Sequence, residues 1–329
     1  MASPQLNPES SRAPVVSVAI TTHNSEKWLE QALDSVLEQE TGFPIEVIIA
    51  DDCSQDETVD IARSYQKRYP GLITVVARPV NIGIQRNYFD TFERCRGKYI
   101  AWLDADDYWT DPRKLAIQVT ALESDPSINV CCHYVRWVTK DGQINRDKAP
   151  SLPPGRYGLE EVLRQNFVAT PSVMFRAGIQ RSLPEWYFDL APITDWPIWI
   201  MAALSGSILL IDCVMADYML TPGSAFAGKG VVFGSSMEAK FYDHVESILP
   251  PRWHRLARSE KGKRYETLSY LLRKQGEYTE SRRAAVKAFR SPALLDNLGG
   301  KTTSLLAAVM RETQWRFRGR RTAANQSSH

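Results

Sequence analysis

The first 130 residues alternate between short apolar runs and longer amphipathic runs, and this rhythm constrains the fold more than any other feature. The apolar runs are rich in β-branched residues, which favours strands, whereas the amphipathic runs repeat with the period of a helix. We predict strands at 15–21, 45–50, 73–78 and 99–103, and helices at 26–40, 58–68, 84–94 and 114–123. Strands joined by helices of this length form right-handed crossovers and therefore a mostly parallel sheet. The sequence thus predicts an α/β fold with helices flanking the sheet.

Polar residues follow each of the four predicted strands. They are Thr22-His23-Asn24, Asp51-Asp52, Asn81-Ile82-Gly83 and Asp104-Ala105-Asp106-Asp107. In open α/β sheets, ligands bind outside the carboxyl ends of the strands, which all lie at one edge. We therefore expect these four polar segments to share one ligand site.

The densest of these segments contains three carboxylates, Asp104, Asp106 and Asp107, directly after an apolar run. Carboxylates this close repel one another unless a cation or a hydrogen-bond donor holds them. Hard oxygen ligands suit Mg²⁺ or Mn²⁺, and Mg²⁺ is commonly bound by one or two carboxylates together with substrate phosphates. The segment therefore indicates a metal–diphosphate site. For this motif alone, a solvated turn or a helix cap is an equally good interpretation, above all for Asp107.

Composition and missing motifs exclude several classes of protein. A net charge of +2 with 24% charged residues is ordinary for a globular chain and gives no ground for a nucleic-acid partner. The Gly-rich signatures of dinucleotide dehydrogenases and of ATPases are both absent. The five cysteines show no zinc spacing, and no signal peptide or membrane span is evident. We therefore expect reduced thiols and a cytoplasmic protein.

Four motifs in order carry a resemblance to a known family. They are Val16 to Asn24, Ile48 to Ser54, Asn81 to Gly83, and Tyr99 to Asp107 with the following Tyr108-Trp109. Together they resemble the family 2 glycosyltransferases, which have the GT-A fold, a Rossmann-like sheet flanked by helices. The resemblance is strong over 15–126, weaker to 224 and absent beyond. It implies a nucleotide-diphosphate sugar as donor, Mg²⁺ or Mn²⁺ as cofactor, a hydroxyl-bearing acceptor and inversion at the anomeric carbon.

The resemblance also implies roles for individual residues. Donor-binding positions are matched by Thr21, His23, Asn24, Asp52, Asn81, Asn87 and Asp104. Asp52 matches the carboxylate that accepts from a pyrimidine N3–H, which favours UDP or dTDP. Asp106 matches the direct metal ligand. Two alternatives stay open: Asn81 lies in a turn signal, and Asp51 resembles a helix cap.

The catalytic base is expected in the second half of the chain. An inverting transferase needs a carboxylate that takes the proton of the acceptor hydroxyl. Asp195 resembles the acceptor-side aspartate of the family, with a plain helix N-cap as its alternative and Asp189 as a substitute. The chain departs from the family at Thr194, where the family is often acidic. It also departs at Thr221, where many relatives carry a histidine that reaches the metal. The metal would then be held chiefly by Asp106, diphosphate and water.

The resemblance divides the chain into four predicted segments. They are a disordered N-terminus at 1–14, a nucleotide-sugar-binding half at 15–139, an acceptor-binding half at 140–235 and a helical extension at 236–329. The absence of the Gln-x-x-Arg-Trp signature favours addition of one sugar per encounter. The basic C-terminus suggests a peripheral contact with the inner face of a membrane, against a solvated terminus. The helical tail also offers a surface for a homodimer.

Three tryptophans and two other functions complete the expectations. Trp186, Trp196 and Trp199 are candidates for a platform that stacks on the acceptor, with core packing as the alternative. A sugar-nucleotide pyrophosphorylase would need a Gly-rich loop after the first strand, which is absent. A non-catalytic sugar-nucleotide or glycan-binding module is favoured by the substitutions at 194 and 221. The intact Asp104 and Asp106 argue against that module.

Overall fold

The structure is a computed structural model that describes residues 13–139, 141–144, 152–221 and 229–289. The chain divides into two compact units, Met1–Lys229 and Gly230–His329. The predicted N-terminal segment falls almost entirely outside the described residues. The same holds for the basic C-terminal segment on which the predicted membrane contact rests.

Within the described residues, nine strands form a single sheet in the first unit. The strands are β1 Val16–Thr22, β2 Ile45–Asp51, β3 Ile73–Ala77, β4 Tyr99–Asp104, β5 Tyr108–Trp109, β6 Ile128–Thr139, β7 Gly155–Tyr157, β8 Met174–Arg176 and β9 Ser207–Leu220. Their order across the sheet is β3-β2-β1-β4-β8-β6-β9-β5, and β7 pairs with β9. The first four strands are mutually parallel, as are β6 and β9, and the remaining pairs are antiparallel.

Six helices flank this sheet in the described part of the first unit. They are α1 Leu29–Leu37, α2 Thr58–Arg68, α3 Ile84–Arg94, α4 Lys114–Ser124, α5 Leu159–Arg164 and α6 Trp196–Ser205. The predicted α/β class with a mostly parallel, helix-flanked sheet is therefore confirmed. The segment 170–176 consists of a 3-10 turn at Thr170–Ser172 followed by the short β8. Proline lies in the first turn of that 3-10 helix, where its missing N–H costs nothing.

The central strands are continuous apolar runs because both of their faces are covered. Every residue of β2 is buried, and so are all residues of β4 except Asp104 at its end. The register pairs Thr22 with Asp51 and Thr21 with Asp104. The parallel register therefore brings the polar residues after β1, β2 and β4 to one edge of the sheet.

The second unit is helical in its described part. It contains α7 Val231–Val245, α8 His254–Lys274 and α9 Tyr278–Phe289. A small apolar core unites them, formed by Ala239, Tyr265, Leu268, Ala284 and Ala288. No helix in the described ranges is both long enough and apolar enough to cross a membrane.

Candidate active site

Hydrogen bonds join the polar strand ends into one site. Thr21 Oγ1 donates to Asp104 Oδ1 at 3.4 Å, which links β1 to β4. His23 Nδ1 lies 2.9 Å from the backbone carbonyl oxygen of Asp52, and Asn81 Nδ2 donates to the same oxygen at 3.0 Å. Five of the residues predicted to bind the donor are therefore brought together at the carboxyl edge of the sheet.

The acidic pair after β2 is fully supplied with donors by the chain itself. Asp51 accepts from Thr22 Oγ1 at 2.8 Å, from the backbone N–H of Ser54 at 2.8 Å and from the Ser54 hydroxyl. The carboxylate of Asp52 accepts from the backbone N–H groups of Ile82 at 2.8 Å and Gly83 at 3.0 Å. Asp51 therefore holds the loop that follows its strand, as its structural interpretation requires. Asp52 keeps one lone pair on each oxygen for a further donor.

Two residues other than glycine adopt left-handed backbone conformations in these loops. Asn24 has a φ of 52° and Cys53 a φ of 66°. Such conformations are uncommon outside glycine, and they cluster where a loop is held by its surroundings. Asn24 donates its backbone N–H to Ser54 Oγ at 2.8 Å and accepts from the N–H of Gln55 at 2.9 Å. Asn24 therefore ties the loop after β1 to the loop after β2, and its predicted contact with the donor stays a prediction.

Only one carboxylate oxygen of Asp104, at the end of β4, accepts hydrogen bonds from the residues that the structure describes. Oδ1 accepts from Tyr88 Oη at 2.6 Å and from Trp102 Nε1 at 3.3 Å, besides the longer contact from Thr21. In the described part of the chain no donor reaches Oδ2. Burial, and next the charge of Asp106, raise the pKa of Asp104 to about 7. The side chain is therefore fixed by its neighbours while one oxygen remains free for a ligand.

Asp106 and Asp107 receive one donor each from the end of β9 or the residue after it. Thr221 Oγ1 donates to Asp106 Oδ2 at 3.0 Å, and the backbone N–H of Met219 donates to Asp107 Oδ1 at 2.8 Å. Burial raises the pKa of both carboxyls, and for Asp107 the charges of Asp106 and Asp104 raise it further. Asp107 is almost completely buried, which supports its structural interpretation. Thr221, which the sequence marks as the missing histidine, instead orients Asp106.

The carboxylates after β4 fit a hard divalent cation only with help from a substrate. No group of three His, Cys, Asp or Glu side chains converges on a metal position anywhere in the residues that the structure describes. Asp106 and the free oxygen of Asp104 supply the hard oxygen donors that Mg²⁺ and Mn²⁺ prefer. Burial is the first cause of the raised pKa of both carboxyls, and the charge of Asp106 raises the pKa of Asp104 further. The site therefore fits an ion whose remaining ligands are diphosphate oxygens and water.

Asp195 opens α6 and also faces the carboxylates after β4. Its Oδ1 accepts from the backbone N–H of Trp196 at 2.7 Å, and its Oδ2 accepts from Asn166 Nδ2 at 2.8 Å. Burial raises the pKa of Asp195, and the charge of Asp195 in turn contributes to the raised pKa of Asp104. Asp195 is therefore a helix N-cap within electrostatic reach of Asp104, and its predicted role as the base stays a prediction. Asp189, the substitute, is exposed.

Asn87 lies inside the fold next to the site. Its Oδ1 accepts from Arg78 Nε at 3.0 Å, and its Nδ2 donates to the carbonyl oxygen of Ala50 at 3.1 Å. Only 3% of the residue is exposed. The amide therefore fastens α3 to the end of β2, and its predicted contact with the donor has no support in this geometry.

The proposed tryptophan platform is wrong for two of its three members. Trp196 and Trp199 are 4% and 0% exposed, and the Trp196 indole N–H donates to the carbonyl oxygen of Val162 at 2.7 Å. Trp199 packs against Trp102 and Phe175. Both residues therefore belong to the core, whereas Trp186 is partly buried.

Two side chains that complete the site could not be recognised from the sequence. Tyr88 and Trp102 hold Asp104, although nothing in their local pattern distinguishes them from core aromatics. The helical spacing of α3 indicates only that Tyr88 lies on the face turned toward the sheet. Such a signal identifies a buried side chain but not its partner.

Comparisons with known proteins give one family and one fold. Residues 17–185, just over half of the chain, match the family model described as "Glycosyl transferase family 2". An uncharacterized protein of Mycobacterium tuberculosis is 37% identical over 203 residues, which are 62% of this chain and 58% of that protein. The chain thus spans less than two thirds of the length of this curated relative.

Solved structures match over most of the chain. Staphylococcus aureus TarS 1–349 in complex with UDP-GlcNAc has a TM-score of 0.61 at 17% identity, over 83% of this chain and 81% of that one. The mannosyltransferase PcManGT from Pyrobaculum calidifontis, in complex with GDP-Man and Mn²⁺, has a TM-score of 0.58 at 16% identity, over 94% and 82%. At these identities the likeness concerns the fold, and it confirms the predicted GT-A architecture.

Proposed function

The chain belongs to glycosyl transferase family 2, and we propose that it moves one sugar from a nucleotide-diphosphate sugar to an acceptor hydroxyl, with inversion. One observation carries the proposal. Asp104 and Asp106 keep carboxylate oxygens that no described residue reaches, and Asp195 at the start of α6 is within electrostatic reach of Asp104. A transferase needs these two functions together, one to bind the leaving diphosphate and one to activate the acceptor.

The loops after β1 and β2 suit the nucleoside part of the donor. His23 offers a ring that is held at Nδ1 by the carbonyl of Asp52, and an imidazole held in this way can stack on a base. Asp52 keeps acceptor capacity for the N3–H of a pyrimidine, which favours UDP or dTDP. UDP-GlcNAc in TarS and GDP-Man in PcManGT support a nucleotide sugar as the donor class.

Asp106, with Asp104 beside it, is the proposed holder of Mg²⁺ or Mn²⁺. When bound, the ion supplies positive charge that neutralises the departing diphosphate. The Mn²⁺ bound together with GDP-Man in PcManGT supports this assignment. The hydroxyl of Thr221 fixes the orientation of the Asp106 carboxylate, and Asp107 anchors the same turn to β9 through the N–H of Met219.

Asp195 is the proposed general base. It takes the proton of the acceptor hydroxyl while the acceptor oxygen forms a bond to the anomeric carbon of the sugar. The bond from that carbon to the phosphate oxygen breaks, and the nucleoside diphosphate leaves with the bonding electrons. The raised pKa of Asp195 brings its proton affinity closer to neutral pH, which strengthens it as a base. Asn166 and the N–H of Trp196 hold the carboxylate in place.

The same proposal assigns one function to each of two segments of the chain. Segment 15–139 binds the donor, and segment 140–235 supplies Asp195 and the acceptor site. The structure begins its second unit at Gly230, ahead of the predicted start of the extension at 236, because α7 already begins at Val231.

Release of nucleoside diphosphate from a panel of sugar nucleotides tests the proposal. UDP-GlcNAc, UDP-glucose, dTDP-glucose and GDP-mannose are each incubated with the protein and Mn²⁺, with and without simple glycoside acceptors. We expect Mn²⁺-dependent release from one donor, abolished by EDTA and by Asp106→Ala. Asp60→Asn, at an exposed position on α2, serves as the matched control with unchanged release.

Two results would contradict transfer. Binding of a sugar nucleotide without release under any condition would support a non-catalytic binding module. Release at the same rate in Asp106→Ala would exclude the metal–diphosphate site assigned to the carboxylates after β4.

A further inference from the structure

Tyr218 lies on the strand that supports the carboxylates after β4. It is flanked on β9 by Asp217, which accepts from Tyr108 Oη at 2.7 Å, and by Met219, whose N–H donates to Asp107 at 2.8 Å. The register places Tyr218 opposite Trp137 of β6. The backbone of Tyr218 is therefore fixed on both sides by contacts to the site and its supports.

The ring of Tyr218 is held as firmly as its backbone. It packs against the indole of Trp137 with ring centroids 4.3 Å apart and an angle of 38° between the rings. Both residues are partly buried. A ring between a strand pair and an indole has few rotamers open to it, so the direction of its hydroxyl is set before a substrate arrives.

The hydroxyl of Tyr218 differs from those of the two other tyrosines nearby. Tyr88 donates to Asp104 at 2.6 Å and Tyr108 donates to Asp217 at 2.7 Å. Tyr218 makes no side-chain hydrogen bond to the residues that the structure describes. A well-positioned donor without an acceptor among the described residues is available to a ligand.

Two observations place Tyr218 near the proposed reaction. Met219 and Thr221, which follow it in the chain, donate to Asp107 and Asp106. Burial raises the pKa of Tyr218 first, followed by the charges of Asp107, Asp104, Asp106 and Asp195, so the phenol is within electrostatic reach of all four carboxylates. It stays protonated near neutral pH and can donate.

In the proposed transfer, the anomeric carbon lies between the diphosphate near Asp106 and the acceptor oxygen near Asp195. A side chain that lies beside the diphosphate end and is within electrostatic reach of Asp195 is in a position to flank the transferred sugar. We propose that Tyr218 is a substrate-contacting residue whose hydroxyl donates a hydrogen bond to the transferred sugar of the donor, with Trp137 holding its ring in position. This inference rests on the proposed function and adds a contact to the sugar itself.

Matched pairs of ligands separate a contact to the sugar from a contact to the diphosphate. Affinities of the full chain for UDP and UDP-GlcNAc, UDP and UDP-glucose, and GDP and GDP-mannose are measured by calorimetry with Mn²⁺. For the pair that binds, we expect Tyr218→Phe to weaken the sugar nucleotide about three- to tenfold, the size of one net hydrogen bond. Affinity for the diphosphate alone should not change, because the substitution removes only the hydroxyl.

Tyr134→Phe is the matched control, because Tyr134 donates to the carbonyl of Leu152 and has no carboxylate of the site among its neighbours. It should change neither affinity. Trp137→Leu, which frees the Tyr218 ring, should reproduce the selective loss. Unchanged affinities in Tyr218→Phe would overturn the inference, and so would an equal loss for both members of the pair. If the unmodified protein binds no diphosphate at all, the proposed function itself fails, which is a different result.

Discussion

Two acidic segments lie at the same edge of one sheet, but they differ in how completely hydrogen-bond donors of the chain satisfy their carboxylates. After β2, the carboxylates of Asp51 and Asp52 together accept five hydrogen bonds from nearby hydroxyl and backbone groups. After β4, the described residues supply three donors to Oδ1 of Asp104 but none to its Oδ2, and one side-chain donor, the hydroxyl of Thr221, to Asp106. The carboxylates of the first segment hold the neighbouring loops in place. The carboxylates of the second segment keep oxygens that no donor in the described ranges reaches.

The difference shows how a site can be distinguished from a structural motif of the same composition. A buried carboxylate that its own fold satisfies stabilises the native state, because each donor favours the ionised form. A buried carboxylate oxygen that lacks a donor costs free energy until a cation or a ligand arrives. The carboxylates after β4 are therefore the better candidates for catalysis, although both segments look alike in the sequence.

The largest expected effect comes from removing the metal-binding carboxylate. Asp106→Asn should lower the rate of sugar transfer by about a thousandfold or more, because the ion contributes several kcal/mol of charge stabilisation. Steady-state release of nucleoside diphosphate at saturating Mn²⁺ measures the loss. A decrease of less than about tenfold would place the metal elsewhere.

Asp195→Asn should affect the rate without affecting donor binding. We expect a loss of about 10²- to 10⁴-fold in kcat, the usual contribution of a general base. The Kd for the nucleoside diphosphate with Mn²⁺ should stay the same, since the proposed base acts on the acceptor. Asn retains an oxygen for the N-cap, so the helix start is preserved. Equal losses in binding and rate would assign Asp195 a purely structural role.

Substitutions in the two acidic segments should change stability in opposite ways. Asp51→Ala leaves several buried donors without an acceptor and should lower the free energy of unfolding by about 1–3 kcal/mol. Asp104→Asn keeps an oxygen for Tyr88 and Trp102 and removes charge, so the free energy of unfolding without metal should stay equal or rise. Urea unfolding in EDTA measures both. Destabilisation of similar size in the two variants would remove the distinction between the segments.

Thr221→Val tests the single donor to Asp106 at constant side-chain shape. Loss of such a supporting hydrogen bond typically weakens metal affinity by about 10- to 100-fold. Titration of the protein and UDP with Mn²⁺ measures the change. Thr221→Ser, which retains the hydroxyl, is the control and should bind Mn²⁺ like the unmodified protein.

The pH dependence of stability should change sign when ligand is present. The pKa of Asp104 is raised in the folded state to about 7 from its ordinary value of 3.8, so its protonated form favours folding. This contribution is fully present below about pH 4 and is lost as the pH rises through 7. Without metal, Tm should therefore fall between pH 5.5 and pH 8.5 by more in the unmodified protein than in Asp104→Asn. With UDP and Mn²⁺ the trend should reverse, because the ion binds the ionised carboxylates. An identical pH profile for the two proteins would contradict the raised pKa.

The elements of the first unit could be predicted closely because their periodicity is strong. The observed bounds of α2 at Thr58–Arg68 and of α3 at Ile84–Arg94 equal the predicted ones. β4 differs from its prediction only by including Asp104. The buried side chains of a helix or a strand recur at a fixed spacing, and this spacing can be seen in the sequence.

The contacts that complete the site could not be predicted, because they join distant parts of the chain. Thr221 and Asp106 are 115 positions apart. The same limit explains the tryptophans of α6: a ring that stacks on a sugar and a ring that fills the core look identical in sequence. Only the packing of α6 against the sheet shows that Trp196 and Trp199 are buried.

A thermal-shift panel of UDP, dTDP, GDP and CDP, each with and without Mn²⁺, tests most directly whether the carboxylates after β4 form the ligand site. A ligand that binds only the folded state stabilises it by about 2.7 kcal/mol at one hundred times its Kd. We predict that one diphosphate raises Tm, only with Mn²⁺, in the unmodified protein but not in Asp106→Ala. No shift with any nucleotide, or a shift that persists without Mn²⁺ and in Asp106→Ala, would contradict the assignment of these carboxylates as the metal–diphosphate site.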